Sequence, residues 1–226
     1  TGAGERPMQA EPVVRWAQSD TDVDVAHALF VRRIGTGLVE DRSSFQRSAT
    51  VETADWAPRL GLVEMGGRLV GAQLGGLLPA VGMLSLPYTA VAEEFEGRGI
   101  YRQLKEAMLE QLRRDARKRG LPEPSGNVSE EVTGSAQYRR KVERGIAVVL
   151  PVVYHSPAAQ GLPETMLALT YEPLTDAGPP SSPEMLRALV AAVYRGLYGI
   201  AEPERDPTFQ RVVATIGRIP RASSGA

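Results

Sequence analysis

The clearest candidates for a functional site are Gly97 and Gly99, which lie between an apolar segment and a long amphipathic segment. Residues 83–91 before them carry the apolar and β-compatible side chains of a strand. After them, an apolar side chain recurs every four residues, at Ile100, Leu104, Met108 and Leu112. This spacing predicts a helix that begins directly after the glycines. Because unpaired amide groups at a helix start carry about half a positive charge, the loop is a candidate phosphate-binding site.

The same glycines would also suit a plain strand-to-helix turn, and two named phosphate loops fail. A Walker loop needs Gly-Lys-Ser/Thr where this chain has Gly99-Ile100-Tyr101. A dinucleotide loop needs a small residue at Arg102 and an acidic residue about twenty positions later, where the chain is basic. Neither ATP nor NAD is therefore favoured.

The loop resembles the coenzyme A loop of the GNAT superfamily of acyl-CoA N-acyltransferases, whose pattern is R/Q-x-x-G-x-G/A. Here it reads Glu96-Gly97-Arg98-Gly99-Ile100-Tyr101, so Gly99 matches while Glu96 and Tyr101 depart from the pattern. The resemblance implies acetyl-CoA as cosubstrate, no metal, and a pyrophosphate held chiefly by backbone amides. The implied cofactor-binding residues are Val91, Glu96, Gly97, Arg98, Gly99, Ile100, Tyr101, Arg102 and Asn127. Acidic side chains at 93, 94 and 96 are expected to weaken that binding.

The resemblance also implies an α/β fold: a mixed, mostly antiparallel central sheet, splayed between strands 4 and 5, flanked by helices, with a C-terminal helical appendage. Segment patterns follow the expected order. Strands are predicted at 13–16, 60–65, 69–78, 83–91, 125–132, 146–154 and 165–174, and residues 36–58 are irregular. Helices are predicted after the caps at 19–22, from 100 to about 119, and at 134–144, 184–197 and 207–216. Gly66-Gly67 predicts a tight hairpin turn.

The predicted domain organisation is one acyltransferase domain with additions. Residues 12–175 form the domain, 176–183 a linker and 184–219 a C-terminal helical extension, while 1–11 and 220–226 are flexible tails. The extension is expected to pack on the core or on a second subunit of a homodimer. A sharper alternative makes it a lid or groove for a longer acyl chain delivered by a carrier protein, although Arg187 and Arg195 do not form a basic cluster.

Composition excludes several other classes of protein. The chain has no cysteine and two histidines, so a disulfide framework, a thiolate nucleophile and a histidine zinc cluster are not expected. No eighteen-residue apolar run or signal-like segment is visible, so neither a membrane span nor a membrane partner is expected, and the lack of cysteine fits a cytoplasmic protein. The net charge is −1, and the basic residues at 113–119 are interpreted as a solvated helix face rather than a nucleic-acid site.

Acyl transfer to an amine needs an acid, an oxyanion donor and a base. The resemblance implies that Tyr138 protonates the leaving thiolate, although the spacing Ala136-x-Tyr138 is shorter than the family's Ala-x-x-x-Tyr. It implies a backbone amide near Val91 as the oxyanion donor and Asn127 as a contact of the pantetheine arm. Glu130 is the first choice for the base, with Glu131, Glu64 and His155 as alternatives.

The resemblance implies an acceptor pocket built by the first helix and the irregular segment after it. Trp56, Phe45 and Tyr88 are the aromatic candidates for its walls, although such residues equally suit the core. The expected acceptor is a primary amine of a small molecule or peptide. Three hypotheses remain open: an N-acetyltransferase, an N-acyltransferase for longer or carrier-bound acyl groups, and a degenerate domain that binds without turnover.

Overall fold

A computed structural model of the protein describes residues 11–217. Almost all of the two predicted tails, and residues 218–219 of the predicted extension, lie outside this range. The strands are β1 (Val13–Trp16), β2 (Ala57–Met65), β3 (Arg68–Leu78), β4 (Met83–Val91), β5 (Gly126–Glu131), β6 (Val148–Val149), β7 (Tyr154–Ser156) and β8 (Thr165–Pro173). The helices are α1 (Asp20–Ile34), α2 (Arg42–Thr50), α3 (Ile100–Lys118), α4 (Ala136–Glu143), α5 (Pro183–Tyr198) and α6 (Pro207–Val213).

One sheet organises the described residues, with strand order β1-β2-β3-β4-β5-β8-β6 and β7 paired to the end of β8. Every neighbouring pair is antiparallel except β4 and β5, which run parallel. The helix α3 makes the crossover between these two strands, as a parallel connection requires. The predicted mixed, mostly antiparallel α/β fold is confirmed.

Local sequence accounts for most element boundaries. Gly66 and Gly67 both take positive φ, +58° and +76°, at the β2–β3 hairpin, as a tight two-residue turn requires. The hydroxyl of Ser19 accepts a hydrogen bond from the Asp22 amide and caps α1. Gly120, with φ of +67°, follows α3 and stops it. Each of these signals was readable from the sequence.

Two segments differ from the sequence-based prediction. Residues 36–58, predicted to be irregular, contain α2, whose N-cap Asp41 accepts hydrogen bonds from the amides of Ser43 and Ser44. Its polar residues hide the helical period, and its apolar contact is made chiefly by Phe45. The strand predicted at 146–154 is instead two short strands, β6 and β7, because the chain turns through Leu150 and Pro151 between them.

The helices divide between the two faces of the sheet. On one face α3 packs its apolar stripe on β2, β3 and β4. An added Cβ at Gly71 of β3 would lie 2.8 Å from Ile100 Cγ2, so this glycine lets the first turn of α3 approach the sheet closely. On the other face lie α1 and α2, which bury Phe30 and Phe45, and further along α5, which buries Leu189 and Tyr194.

The C-terminal helices are part of the core of the described chain. Eight residues of α5 are buried, and seven of them share one apolar cluster with Trp56, Val128 of β5 and Tyr171 of β8. The helix α6 adds Phe209 and Val212 to the same cluster. This packing brings the C-terminal end of α5 next to β5, which matters for the site. Among residues 11–217, no helix is long and apolar enough to cross a membrane.

Candidate active site

The parallel pair β4 and β5 is joined over a short distance and then parts. The register pairs only Leu84 with Asn127 and Ser85 with Val128. Directly after this point, the pairing of β4 with β3 shifts register, and Leu86 and Pro87 occupy a bulge. Proline suits this place because it has no ladder amide to lose. The bulge bends β4 away from β5 and opens a cleft between the two strands.

One edge of β4 faces that cleft. The amide of Ala92 donates to the Val70 carbonyl at 2.9 Å, towards β3. Because successive residues of a strand direct their amide groups to opposite edges, the amide of Val91 is directed away from β3. Val91 lines the cavity with the rest of this stretch. The strand therefore presents backbone donors and acceptors to a ligand in the cleft.

The glycine loop at the end of β4 leads into an uncapped helix start. Gly97 and Gly99 have φ of +73° and +80°, and a Cβ added to either would meet no atom within 4 Å. No side chain caps α3, and its first backbone hydrogen bond runs from the Gln103 amide to the Gly99 carbonyl at 3.1 Å. The backbone amides before Gln103, in the first turn of α3, therefore have no hydrogen-bond partner within the helix. Unpaired amides beside a loop that carries no side chain at either glycine suit the binding of an anion.

The acidic residues of this loop are neutralised by neighbouring arginines. Arg33 at the end of α1 forms ion pairs with Glu96 and with Glu93, the latter at 3.4 Å, and Arg68 pairs with Glu94. The predicted acidic approach to the loop is thus largely compensated within the fold. Tyr101 is 43% exposed and lines the cavity rim, so the loop is not plugged by that side chain.

The cleft widens into one cavity of about 1000 Å³ that spans both faces of the split sheet. We call its two ends the α3 end and the α2 end. The α3 end is bordered by the loop, the start of α3 and α4; its exposed cations are Arg102 and Arg140. The α2 end is bordered by the α1–α2 connection, β5, β8 and α5. Its polar lining residues are Glu40, Ser48, Tyr88, Glu130, Ser156, Thr165 and Tyr198.

Glu130 lies on β5 just past the split and is held by two tyrosines. The Tyr154 hydroxyl donates to its Oε1 at 2.5 Å, and the Tyr198 hydroxyl lies 2.8 Å from both carboxylate oxygens. Burial raises the pKa of Glu130, while the two tyrosine hydrogen bonds act in the opposite direction. A carboxylate with a raised pKa that faces a cavity is a competent proton acceptor near neutral pH.

Glu40, in the connection between α1 and α2, is a second carboxylate at the same end. It is 5% exposed, and burial raises its pKa to about 7, with the nearby charges of Asp41 and Glu130 adding to the shift. Ser48 of α2 donates to its Oε1 at 2.9 Å. Its Oε2 is buried and has no hydrogen-bond partner among the described residues.

The structure brings most of the predicted site residues together in the cavity. Lining it are Val91, Glu96, Gly97, Gly99, Ile100, Tyr101, Arg102, Glu130 and Glu131, together with the aromatic candidates Trp56 and Tyr88. Glu131 forms a buried ion pair with Lys141 at 2.5 Å, which occupies its carboxylate. This pairing leaves Glu130 as the available carboxylate on β5.

Other predicted residues lie outside the cavity lining. Tyr138, the predicted acid, is half-buried on α4, and Asn127 is buried and donates to Ser129 at 3.2 Å. Arg98 stacks over the Phe95 ring at 5.1 Å, and Phe45 lies behind Tyr88. Two alternative bases are engaged elsewhere: Glu64 pairs with Arg15, and His155 Nδ1 lies 3.3 Å from Glu164.

Sequence reasoning missed Glu40, Tyr154 and Tyr198. Tyr198 is the last residue of α5, 68 positions from Glu130, and no local pattern indicates that it reaches the cavity. Glu40 lies in a stretch predicted to be irregular, where an acidic residue resembles ordinary loop composition. The available signal is Asp41, an N-cap residue that directly follows Glu40 and indicates the start of a short helix.

Comparison with solved structures shows that the chain has the fold of the GNAT acetyltransferases. A candidate acetyltransferase of the GNAT family from Bacteroides thetaiotaomicron superposes with a TM-score of 0.60 and 12% identity, over 83% of this chain and 99% of that one. The Arabidopsis thaliana protein NAA60, solved with a bisubstrate analogue, superposes with a TM-score of 0.54 and 12% identity, over 74% of this chain and 100% of that one. The ribosomal-protein-S18-alanine N-acetyltransferase of Escherichia coli superposes with a TM-score of 0.52 and 14% identity, over 74% of this chain and 97% of that one.

No family model and no curated protein matches the sequence. At 12–14% identity the structural likeness establishes the fold. The resemblance inferred from the loop is confirmed at that level.

Proposed function

We propose that this protein is an N-acetyltransferase that moves an acetyl group from acetyl-CoA to a primary amine. One observation carries the proposal: a single cavity joins the uncapped first-turn amides of α3, the free edge of β4 and the carboxylate of Glu130. Those three features supply an anion site, hydrogen-bonding groups for an extended arm, and a base. The fold shared with GNAT acetyltransferases supports the same assignment.

The residues at the α3 end suit coenzyme A. Gly97 and Gly99 place no side chain over the loop, the first-turn amides of α3 are uncapped, and Arg102 and Arg140 add exposed positive charge. A pyrophosphate would be held there by backbone hydrogen bonds and the helix dipole. The bound thioester supplies an activated acyl carbon. The amide of Val91, directed to the cleft, is placed to donate to the thioester oxygen.

At the α2 end, Glu130 accepts the proton that the amine must lose. An alkylammonium has a pKa near 10, so a neighbouring carboxylate with a raised pKa lowers the cost of reaching the neutral, nucleophilic form. Tyr154 and Tyr198 fix the orientation of that carboxylate through their hydroxyls. Tyr138 remains the candidate acid for the leaving thiolate. Its place outside the cavity lining means that α4 would have to bring it closer to the sulfur.

The first test is thermal unfolding with and without coenzyme A and acetyl-CoA, with ATP and NAD as controls. A ligand at about one hundred times its Kd adds about 2.7 kcal/mol of stability and should raise Tm by roughly 5–10 °C. A shift with the coenzyme A species alone supports the proposal. No shift at millimolar concentration contradicts it.

The second test measures turnover with a panel of amines, by detecting the thiol of the coenzyme A that is released. Because the chain has no cysteine, a thiol reagent reports coenzyme A without any signal from the protein. Octanoyl-CoA beside acetyl-CoA tests the longer-chain alternative, to which Leu197 and the other apolar residues of the α2 end give support. Binding of acetyl-CoA without turnover of any amine would favour a binding domain instead. Tyr138→Phe with unchanged kcat would remove the acid role of that tyrosine.

A further inference from the structure

The α2 end of the cavity contains one more carboxylate than proton transfer needs. Glu130 suffices as a base, yet Glu40 also lines this end and is 95% buried. Its Oε1 accepts the Ser48 hydroxyl, whereas its Oε2 has no partner among residues 11–217. A buried polar atom without a hydrogen bond costs free energy, and in native proteins it commonly marks a place where a ligand or water binds.

The charges around Glu40 favour a cation. Asp41 and Glu130 add negative potential, and Arg47 is the cation that acts on it from the protein side. His27 contacts only the backbone carbonyl of Glu40, at 2.9 Å. The arginines that line the cavity, Arg33, Arg102 and Arg140, belong to α1, α3 and α4 and not to the elements around Ser48 and Glu130. A positively charged group is therefore the partner that this site lacks.

The wall beside the two carboxylates is apolar. It is formed by Leu38, Trp56, Leu162, Pro163, Leu167 and Leu197. Such a wall suits the methylene stem of an aliphatic amine whose ends are charged. The last torsion of a glutamate side chain is broad, so the carboxylate of Glu40 can turn Oε2 towards a bound group without leaving its rotamer.

We propose that the acceptor is an aliphatic amine with a second cationic group, and that Glu40 binds this second cation while Glu130 faces the reacting nitrogen. The inference rests on the proposed acyl transfer and names the substrate class of the same site. Because the reacting nitrogen must become neutral, it cannot compensate both carboxylates. A second ammonium group keeps its charge through the reaction and stays paired with Glu40.

The test compares 1,4-diaminobutane with butylamine, first as acceptors with acetyl-CoA. We expect the native protein to use the diamine with a kcat/KM at least tenfold higher. In Glu40→Gln, which keeps the size of the side chain and an acceptor for Ser48, the KM for the diamine should rise about tenfold. The kcat for the diamine should change much less than its KM, and the KM for butylamine should change much less than the KM for the diamine. Glu110→Gln, an exposed glutamate on α3, is the matched control and should leave the preference intact.

A binding measurement separates this inference from the proposed function. With saturating coenzyme A, 1,4-diaminobutane should raise Tm of the native protein and of Glu110→Gln more than butylamine does, and should lose that advantage in Glu40→Gln. Diamine binding that depends on Glu40 without any turnover would support the cation site while contradicting acyl transfer. Turnover with equal use of both amines, or a diamine preference that survives in Glu40→Gln, would overturn the inference while acyl transfer stands.

Discussion

At the α3 end of the cavity the groups that face a ligand are backbone amides and two exposed arginines. At the α2 end they are two carboxylates with a raised pKa and the tyrosine hydroxyls around them. The first set suits an anion and the second suits a cation. Opposite potentials along one cavity would orient a phosphate-bearing donor and an amine acceptor before any specific contact forms.

The two ends also differ in how far side chains decide recognition. Binding by backbone amides, as proposed, would tolerate Glu96 and Tyr101 in the loop, because Arg33 pairs with the first and the second lies at the rim. Recognition at the α2 end depends on side chains from β5, β7 and α5 that meet in one place. We therefore expect mutations to act mainly on affinity at the α3 end and on chemistry and acceptor choice at the α2 end.

The largest expected effect comes from removing the proposed base. In Glu130→Gln, kcat should fall about 100-fold or more, because proton transfer by a positioned base contributes about 10²–10⁴-fold. The KM for acetyl-CoA, which is set at the α3 end, should stay within about twofold. Steady-state kinetics measure both constants, and Glu110→Gln on the exposed side of α3 serves as control. A kcat within threefold of the native value would assign the base elsewhere.

A stability measurement at two pH values should isolate the second carboxylate. The pKa of Glu40 is raised from its ordinary value of 4.5 to about 7, so the folded protein holds this proton more tightly than the unfolded chain. Stability from this group is complete below pH 4.5 and is lost as pH rises through about 7; the full loss is roughly 3 kcal/mol. Glu40→Gln should therefore unfold at a higher temperature than the native protein at pH 8 and at the same temperature at pH 4.

In the matched control for that measurement, the substitution should change the stability at pH 8 in the opposite direction. The Arg15 guanidinium and the Gln18 amide hold the pKa of Asp22 below its usual range. Asp22→Asn should lose stability at pH 8, where Glu40→Gln gains it. Equal effects of pH on the native protein and Glu40→Gln would show that Glu40 is ionised in the fold.

The exposed arginines test the anionic end. In the double variant Arg102→Ala/Arg140→Ala, the KM for acetyl-CoA should rise about tenfold, since each exposed charge contributes up to about 1 kcal/mol. The KM for the amine should not change, and added salt should narrow the difference from the native protein. Arg117→Ala/Arg139→Ala removes two exposed arginines of the same helices that do not line the cavity. An equal rise of the KM for acetyl-CoA in both double variants would show that only the net charge of the protein matters, and not the position of Arg102 and Arg140.

A smaller effect is expected from Tyr198, which positions the base. Tyr198→Phe removes a hydrogen bond that stabilises ionised Glu130, so the pKa of Glu130 should rise further. The acid limb of the kcat profile should then move to higher pH, with kcat at pH 7 reduced about three- to tenfold. Tyr194→Phe is the comparison, because that hydroxyl donates to the His155 carbonyl. If the pH profile of kcat is unchanged in Tyr198→Phe, the Tyr198 hydroxyl does not affect the pKa of Glu130 and the side chain contributes only packing.

The smallest effect concerns the departure from the loop pattern. Glu96→Gln should remove the ion pair of Arg33 with Glu96 while the pair with Glu93 stays, and should lower the Kd for coenzyme A about twofold. Titration calorimetry measures this directly. Glu94→Gln, which releases Arg68 away from the cavity, should leave the Kd unchanged. Weaker binding in Glu96→Gln would show that the Glu96–Arg33 pair supports the loop instead.

Much of the α3 end could be predicted from the sequence. The strand at 83–91, the positive-φ glycines and the start of α3 at Ile100 are encoded by local patterns, because strand period, turn chemistry and helix caps act over a few residues. The α2 end was predicted only at Glu130 and in the aromatics of its wall. Polar α2 was hidden by its composition, and the predicted acid Tyr138 lies outside the cavity lining.

By itself, the sequence determined the order of the first five strands and the main helices, the hairpin at Gly66-Gly67 and the glycine loop before α3, since each depends on neighbouring residues. Only the tertiary structure decided that Tyr154 and Tyr198 hold Glu130 and that Glu40 joins it. These residues come from separate elements, and their meeting depends on the split of β4 from β5 and on the packing of α5 against the sheet. Long-range packing of this kind leaves no periodic trace in the chain, because it is set by the shape and volume of distant side chains.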